Sequence, residues 1–317
     1  MSARPSSRLG WWHGLYALVL ALLAAGIYVA AERVDYTWHW ERIPQYLLST
    51  EGEEVRAPFD GFVSLDANGQ QLSLSELNGA RLERFSGYSQ VLVGEGDLVF
   101  QNDILARKAG IKPGPLALGL WLTLKISAVA LVFALLLGVI AGLGRVAQNP
   151  AARNLAATYV ELIRGTPLLV QIFIFYFFVG TVLNLSAFTA GVAALSVFTG
   201  AYVAEIVRAG IEAVPRGQME AARSLGMSYA QAMRHVVLPQ AFRQSLPSLA
   251  GQFINLIKDS SLVSIMALTD LTKAGREVVS STFSPFEVWF TVAALYLLLT
   301  GSLSLLVRRL EKRLAHD

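Results

Sequence analysis

The chain offers little for covalent or metal chemistry. It contains no Cys, so thiol catalysis, disulfides and thiolate metal sites are excluded. Its four His residues, His13, His39, His235 and His316, stand far apart and in no spacing that places two on one helix face, which argues against a zinc or iron centre. The informative residues are charges in apolar surroundings: Lys125, Glu161, Arg164, Glu205, Lys258 and Asp259. A charge inside a membrane span is costly unless it faces a cavity or a partner, so each is a candidate for a solute path. Snorkelling to an interface is the competing use, best suited to Lys125, Glu161 and Arg164 near the ends of their runs. Asn255, one helical turn before Asp259, shares its face, and Gln171 lies about 10 Å deeper than Arg164 at ~1.5 Å per residue. Thr166-Pro167 either breaks a helix and frees its carbonyl and amide groups, or kinks it for packing.

A second concentration of signals lies at 207–247. Pro215 suits the first turn of a helix over 216–225, and Gly226 suits the left-handed position just past its end. Ser228 with Gln231 makes a capping-box pattern opening a second short helix to about Val237, which Pro239 is expected to stop. Met219, Ala222 and Leu225 share one side of the first helix; Ala232, Met233, Val236 and Val237 give apolar surface on the second. Two readings stand: an amphipathic hairpin resting on lipid headgroups, or a protruding element that docks into a groove on a soluble partner.

What must position these residues is a membrane bundle. The chain has 317 residues, 54% hydrophobic against 15% charged, with a mean hydropathy of +0.49, which excludes disordered, collagen-like and disulfide-scaffold classes. Six apolar runs approach the roughly 20 residues a spanning helix needs: 11–31, 116–143, 159–180, 188–206, 248–268 and 286–307. They are continuously apolar rather than alternating, which speaks against barrel strands. Arg4 and Arg8 precede the first run, 144–158 carries only Arg145 and Arg153, and both 207–247 and 308–317 are basic. The segment 32–115 carries 13 acids against 8 bases. The positive-inside rule therefore puts both termini and the loops 144–158 and 207–247 in the cytoplasm. The first run reads as a spanning helix or, with Val29 and Ala31 suiting a cleavage site, as a signal sequence. Gly138 and Gly142 form a G-x-x-x-G suited to close helix packing, within the chain or with another subunit. Trp11-Trp12, Trp38, Trp40 and Trp289 fit interfacial belts.

The segment 32–110 differs in kind. Turn dipeptides (Asp60-Gly61, Asn68-Gly69, Asn78-Gly79) and alternating runs such as Phe62-Val63-Ser64-Leu65 and Gln71-Leu72-Ser73-Leu74 predict a small β-rich extracytoplasmic insert at about 50–108. Residues 57–63 followed by 93–105 resemble the two half-motifs of a lipoyl- or biotinyl-type barrel-sandwich. The segment 57–107 holds no Lys to carry such a cofactor, so only the shape is borrowed.

Glu220-Ala221-Ala222, Gly226 four residues on, then Val236, Leu238 and Pro239 resemble the EAA loop of ABC importer permeases, E-A-A-x3-G-x9-I-x-L-P, with Val236 in place of Ile. Residues 164–171, 201–211 and 258–264 look like the polar amino acid subfamily of these permeases, and the resemblance covers about 116–311. It implies a type I importer permease, an all-α polytopic membrane protein; with the apolar runs this gives about six helices, 1–31 the first and 111–317 a five-helix permease domain, while the β-rich insert 32–110 lies outside the resemblance and is longer than the family pattern. The implied partners are two ABC ATPase subunits, a second permease that is the same or a homologous chain, and an extracytoplasmic amino-acid-binding protein, in the bacterial inner membrane and with no nucleic acid. Glu220, Ala221, Ala222, Gly226, Leu238 and Pro239 would couple to the ATPases. The chain has no G-x-x-x-x-G-K-[ST] loop and no Gly-Lys dipeptide, so it carries no cofactor or ATP-hydrolysing site of its own; ATP-Mg would sit on the ATPases. For an amino acid solute, Glu205 would meet the ammonium, Arg164 or Lys258 the carboxylate, with Asn255, Gln171, Thr166 and Asp259 along the path. Alternatively Glu205 pairs with Arg208 at the rim and holds the bundle together. A self-contained secondary transporter or channel is the other function class.

Overall fold

The computed structural model describes residues 7–33, 36–49, 54–66, 71–108 and 110–314, which fall into two units, Met1–Glu41 and Arg42–Asp317. In the first unit, α1 (Ser7–Arg33) is apolar on every side and ends on a basic residue. Such a helix has no soluble use for its surface and is long enough to cross a bilayer. Beyond it Trp38 and Trp40 stack with ring centroids 5.7 Å apart, and Tyr36 sets its edge to Trp38 at 5.4 Å.

The second unit begins with α2 (Ile43–Leu47) and nine short strands: β1 (Leu48–Ser49), β2 (Glu54–Arg56), β3 (Gly61–Leu65), β4 (Gln71–Glu76), β5 (Leu82–Ser86), β6 (Gln90–Val91), β7 (Leu98–Val99), β8 (Ile104–Arg107) and β9 (Lys112–Pro113). All pairings are antiparallel, in the orders β1-β9, β2-β8-β6 and β5-β4-β3-β7. The period-2 pattern sends Val63, Leu72 and Leu74 inward to join Val55, Ala57, Val99, Leu105 and Ala106 in one small apolar core. The two half-motifs do run against each other: Ala57 N–H donates to Asp103 O and Asn102 N–H to Ala57 O, both at 2.8 Å, and Val63 N–H to Asp97 O at 2.9 Å. Gly61 is obligatory where β3 runs against β4, because a Cβ there would stand 2.1 Å from the Ser75 carbonyl oxygen. Asn78-Gly79 makes its turn with Gly79 at φ +71°; Asn68-Gly69 lies outside the described residues, and Asp60-Gly61 opens β3 instead of closing a hairpin.

The helical part comprises α3 (Pro115–Arg145), α4 (Pro150–Arg164), α5 (Leu168–Phe173), a π-helical stretch (Ile174–Val179), α6 (Gly180–Val182), α7 (Ala187–Glu212), α8 (Arg216–Ser224), α9 (Tyr229–Ala232), a second π-helical stretch (Met233–Val237), α10 (Leu238–Asp259), a 3-10 stretch (Ser260–Ile265), α11 (Leu271–Thr282) and α12 (Pro285–Leu314). Its central contact is α3 on α7. A Cβ on Gly138 would stand 2.4 Å from Val203 Cβ and 2.8 Å from Gly200 O, and one on Gly142 would stand 2.7 Å from Val207 Cβ. The G-x-x-x-G is therefore used within the chain. Ile126, Ala130, Ile172, Ala194, Leu195, Leu256 and Met266 continue this core, and Ile43, Tyr46 and Leu47 of the α2 segment pack on a second cluster around Leu116, Leu271 and Val288.

Three expectations about the spans are corrected. Among the described residues four helices are long and apolar enough to cross a membrane, 11–33, 115–145, 187–212 and 285–309. The run 159–180 is not one straight helix, because α4 and the Leu168–Val182 segment meet at 102° around Gly165–Pro167; counted together they make a fifth, broken span. The run 248–268 is displaced: its helix starts at Leu238, and its polar residues keep it below the composition of a free-standing span. Consequently the connection expected at 207–247 shrinks to 213–237, and Pro239 stops nothing. It occupies the opening turn of α10, where a missing N–H is tolerated, and the π-helical stretch before it carries the chain through.

The α3–α7 contact yields a direct test. Gly138→Ala should lower the unfolding temperature of the purified chain by several degrees, since overpacking a close contact costs about 1–3 kcal/mol. Gly301→Ala in α12, where a Cβ meets nothing within 4 Å, should leave it unchanged or raise it.

Candidate functional site

The hairpin over 216–237 is built by its caps. Gly226 at φ +84° reverses the chain after α8, with Gly226 N–H donating to Arg223 O at 3.0 Å and Met227 N–H to Ala222 O at 3.2 Å. Ser228 then caps α9 reciprocally: its N–H reaches Gln231 Oε1 at 2.8 Å and its Oγ accepts from Gln231 N–H at 3.3 Å. Most of the apolar surface of both helices is used up inside the protein; Leu225, expected on the same side as Met219 and Ala222, stays outside because it sits at the cap where α8 ends. Met219, Met233 and Leu238 pack against Ile211, Val214, Val237 and Ala241, together with Val146 at the end of α3. Ala222 is 4% exposed. What faces outward is Glu220, Ala221, Arg223 and Leu225, the last 85% exposed, with Pro239 also exposed. An amphipathic element resting on lipid would present its apolar face; this one buries that face and projects a polar tip carrying one leucine.

A cluster of charge sits where α3, α4 and α7 converge. Glu205 accepts from Arg208 Nε at 3.2 Å and Nη2 at 2.5 Å, and lies 3.8 Å from both Arg145 and Arg164. Arg208 also holds Glu212, and the Arg164 guanidinium stands 5.3 Å over the Tyr202 ring. The fold thus presents Glu205 in its pairing with Arg208. A solute ammonium approaching it would meet three guanidinium groups. Arg145 was missed from sequence because it reads there as an ordinary basic residue closing a span.

The break at Gly165–Pro167 is closed from within. Gln171, 4% exposed, donates its amide to Ile163 O and to Thr166 Oγ1, each at 2.7 Å, while Thr166 Oγ1 bonds Leu162 O at 3.1 Å. The carbonyls expected to be free for a solute are therefore occupied, and Gln171 holds the bend instead of lying on an open surface.

Asn255 and Lys258 are exposed and Asp259 is half-buried. With Gln244, Ser248 and Gly251, Asn255 and Lys258 fall on one exposed stripe of α10 at steps of three and four residues. At the stripe's start a cleft of about 380 Å³ between α7 and α10 is lined by Glu205, Ile206, Gln244, Ser245 and Ser248. Gln244 and Ser248 went unnoticed in the sequence because neither is charged, although their spacing from Asn255 was visible. Among the described residues, no hydrogen bond or ion pair joins Asn255, Lys258 or Asp259 to the Glu205 cluster. Lys125 stands 5.2 Å over the Phe188 ring.

A polytopic helical core with one bent span, a capped hairpin and a polar stripe on a helix otherwise set in apolar company defines a membrane transport component. Residues 134–316 match the family described as binding-protein-dependent transport system inner membrane component, and the chain belongs to that family. The probable glutamine ABC transporter permease protein GlnM of Bacillus subtilis (strain 168) is 45% identical over 197 residues, covering 62% of this chain and 91% of that protein. The glutamine transport system permease protein GlnP of Escherichia coli (strain K12) is 38% identical over 199 residues, with the same coverage. A crystal structure of an amino acid ABC transporter with histidines superposes with a TM-score of 0.59 and 42% identity, over 63% of this chain and 94% of that one.

The charge cluster generates the test of this site. Glu205→Gln leaves three arginines without their shared carboxylate, at a cost of about 1–3 kcal/mol, below that of a fully buried pair because the Glu205 side chain is 26% exposed. The yield and unfolding temperature of the chain should fall, Glu205→Gln/Arg208→Gln should recover part of the loss, and transport per folded complex should change little. A full yield with an altered solute profile would instead place Glu205 on the path.

Proposed function

We propose that this chain is the permease subunit of an ATP-driven importer of polar amino acids, of the glutamine, glutamate or aspartate class or the basic class. The hairpin over 216–237 carries this reading. Its position is fixed by packing against α3, α7 and α10, so force applied to its exposed tip passes into the bundle. Two ATPase subunits would grip the exposed Glu220, Ala221 and Gly226 on this chain and on a second permease, with the buried Ala222 seating α8 on the bundle and Leu238 and Pro239 transmitting the load at the head of α10. Closure of the ATPases would then rock the two bundles against each other. The names of the 45% and 38% identical relatives support a glutamine-like solute. The exposed stripe from Gln244 to Lys258 supports a path shared with the second permease, since polar groups on a membrane helix need a watery or protein neighbour. Along it, Asn255, Lys258 and Asp259 would match solute polar groups, with Arg164 nearer the Glu205 end and Thr166 and Gln171 fixing the bend behind. The termini and the hairpin would be cytoplasmic, and the β-rich insert would stand outside, where it modulates docking of the binding protein.

The expected result in proteoliposomes holding the co-purified complex is uptake of labelled glutamine only with internal ATP; uptake by the chain alone down an ion gradient would identify a secondary transporter. Gly226→Val should abolish that uptake. A Cβ there meets nothing within 4 Å, so the effect comes from the left-handed backbone, which costs a non-glycine residue about 1–2 kcal/mol and a β-branched one more. Membrane insertion should be normal, and ATPase co-purification should be lost along with uptake.

A further inference from the structure

Behind the hairpin a cavity of about 660 Å³ opens between the end of α3, the first turns of α4, the α7–α8 connection and α9. Its polar walls are Arg145, Arg153, Arg216, Tyr229 and Glu212. Glu212 is held by Arg208, which lies outside the lining, and Arg145 has Glu205 at 3.8 Å, so the three guanidinium groups of the wall outnumber the carboxylates beside them and Arg153 and Arg216 carry the excess. Arg153 and Arg216 are exposed and pair with no described carboxylate. Arg145 Nη1 is buried and makes no hydrogen bond with the protein, and its Nη2 only approaches Glu205 at 3.8 Å. Unmatched guanidinium charge on a cavity wall favours an acceptor of opposite charge, and the exposed Arg153 and Arg216 are the groups within its reach. α8 adds to the field: its nine residues begin at this wall on Pro215 with no side-chain cap, leaving the positive end of the helix there.

The level of the cavity in the bilayer indicates where the acceptor comes from. α3 has 31 residues, about 46 Å at ~1.5 Å per residue, against a hydrocarbon core of about 30 Å. Arg145, its last residue, therefore stands in the headgroup zone. We propose that this cavity binds a phosphate group, supplied by the headgroup of an anionic phospholipid, and that the bound phosphate ties α8 of the coupling hairpin to the ends of α3 and α4. Planar guanidinium forks match phosphate oxygens two at a time, and arginines on three separate elements suit one multivalent anion better than three separate carboxylates. The consequence for transport rests on the hairpin being the coupling element; the binding itself does not.

The test uses the full-length chain in nanodiscs of phosphatidylcholine with graded phosphatidylglycerol, read by unfolding temperature and by lipid retained in native mass spectrometry. A parallel arm in neutral detergent titrates inorganic phosphate against chloride at equal ionic strength. Arg153→Gln/Arg216→Gln is the diagnostic variant, because neither side chain supports the fold through an ion pair, and Arg243→Gln on α10 is the control. The expected result is that phosphatidylglycerol stabilises the wild type and the control, and binds the double variant about tenfold more weakly. Protection by inorganic phosphate, with no difference between the two lipids, would retain the phosphate chemistry and assign a soluble source. Equal behaviour of wild type and double variant in both arms overturns the proposal. So does loss of ATPase co-purification in the double variant with lipid and phosphate binding unchanged, which would make the cavity part of a protein contact.

Discussion

Everything in the helical core depends on how closely α3 approaches α7. In lipid there is no hydrophobic drive to press helices together, so two helices stay paired through backbone proximity and dispersion along a small-residue seam. Here Gly138 and Gly142 let the α3 backbone meet the Gly200 and Ala204 carbonyls of α7 at distances no side chain would allow, each 2.8 Å from where a Cβ would stand, and Ser196, whose hydroxyl bonds Val192 O at 2.6 Å, lies 3.2 Å from Ala130 O across the seam. That contact fixes the ends of both helices. Arg145 closes α3 beside Glu205 and Arg208 of α7, and Val146, just beyond, becomes part of the floor on which the hairpin over 216–237 rests.

The charged cluster follows from that geometry. Glu205 points toward a place where α3, α4 and α7 bring Arg145, Arg164 and Arg208 together, and none of the four side chains is fully covered by protein. It is also asymmetric. Arg208 makes short hydrogen bonds to both Glu205 and Glu212, whereas Arg145 and Arg164 reach Glu205 only at 3.8 Å and keep donors to spare. Spare cationic donors are the common element between this cluster and the cavity behind the hairpin, which share Arg145.

Sequence reading succeeded where a local rule decides the outcome. The Gly226 reversal and the Ser228–Gln231 box are determined within four residues of themselves, and both appear as expected. The same holds for the G-x-x-x-G, whose use was legible although its partner helix was not. It fell short where a residue's meaning depends on distant neighbours. Pro239 is a stop signal in isolation, but a π-helical stretch upstream absorbs its missing N–H. Gln171 looks like a free polar group in an apolar run, yet Ile163 and Thr166 are brought to it only because the chain bends by 102°. Glu205 left two readings open because the three arginines around it come from positions 145, 164 and 208, and no periodicity links them.

The β-rich insert shows how an addition of this size leaves such a core undisturbed. The family match starts at residue 134 and the relatives align over about 62% of the chain, so the strands lie outside what is shared. Their two ends pair with each other, Leu48 opposite Pro113 and Ser49 opposite Lys112, which brings the chain back to its point of departure. Gly114 is the joint: a Cβ there would stand 2.3 Å from Tyr46 O, so the strand leading into α3 lies directly on the α2 backbone. α2 in turn packs through Ile43, Tyr46 and Leu47 on the cluster formed by Leu116, Leu271 and Val288. An insert held at one narrow root, with its own apolar core, exerts no demand on the register of α3 against α7. The seam that positions the charged cluster and the hairpin is therefore independent of whatever the insert does beyond its root.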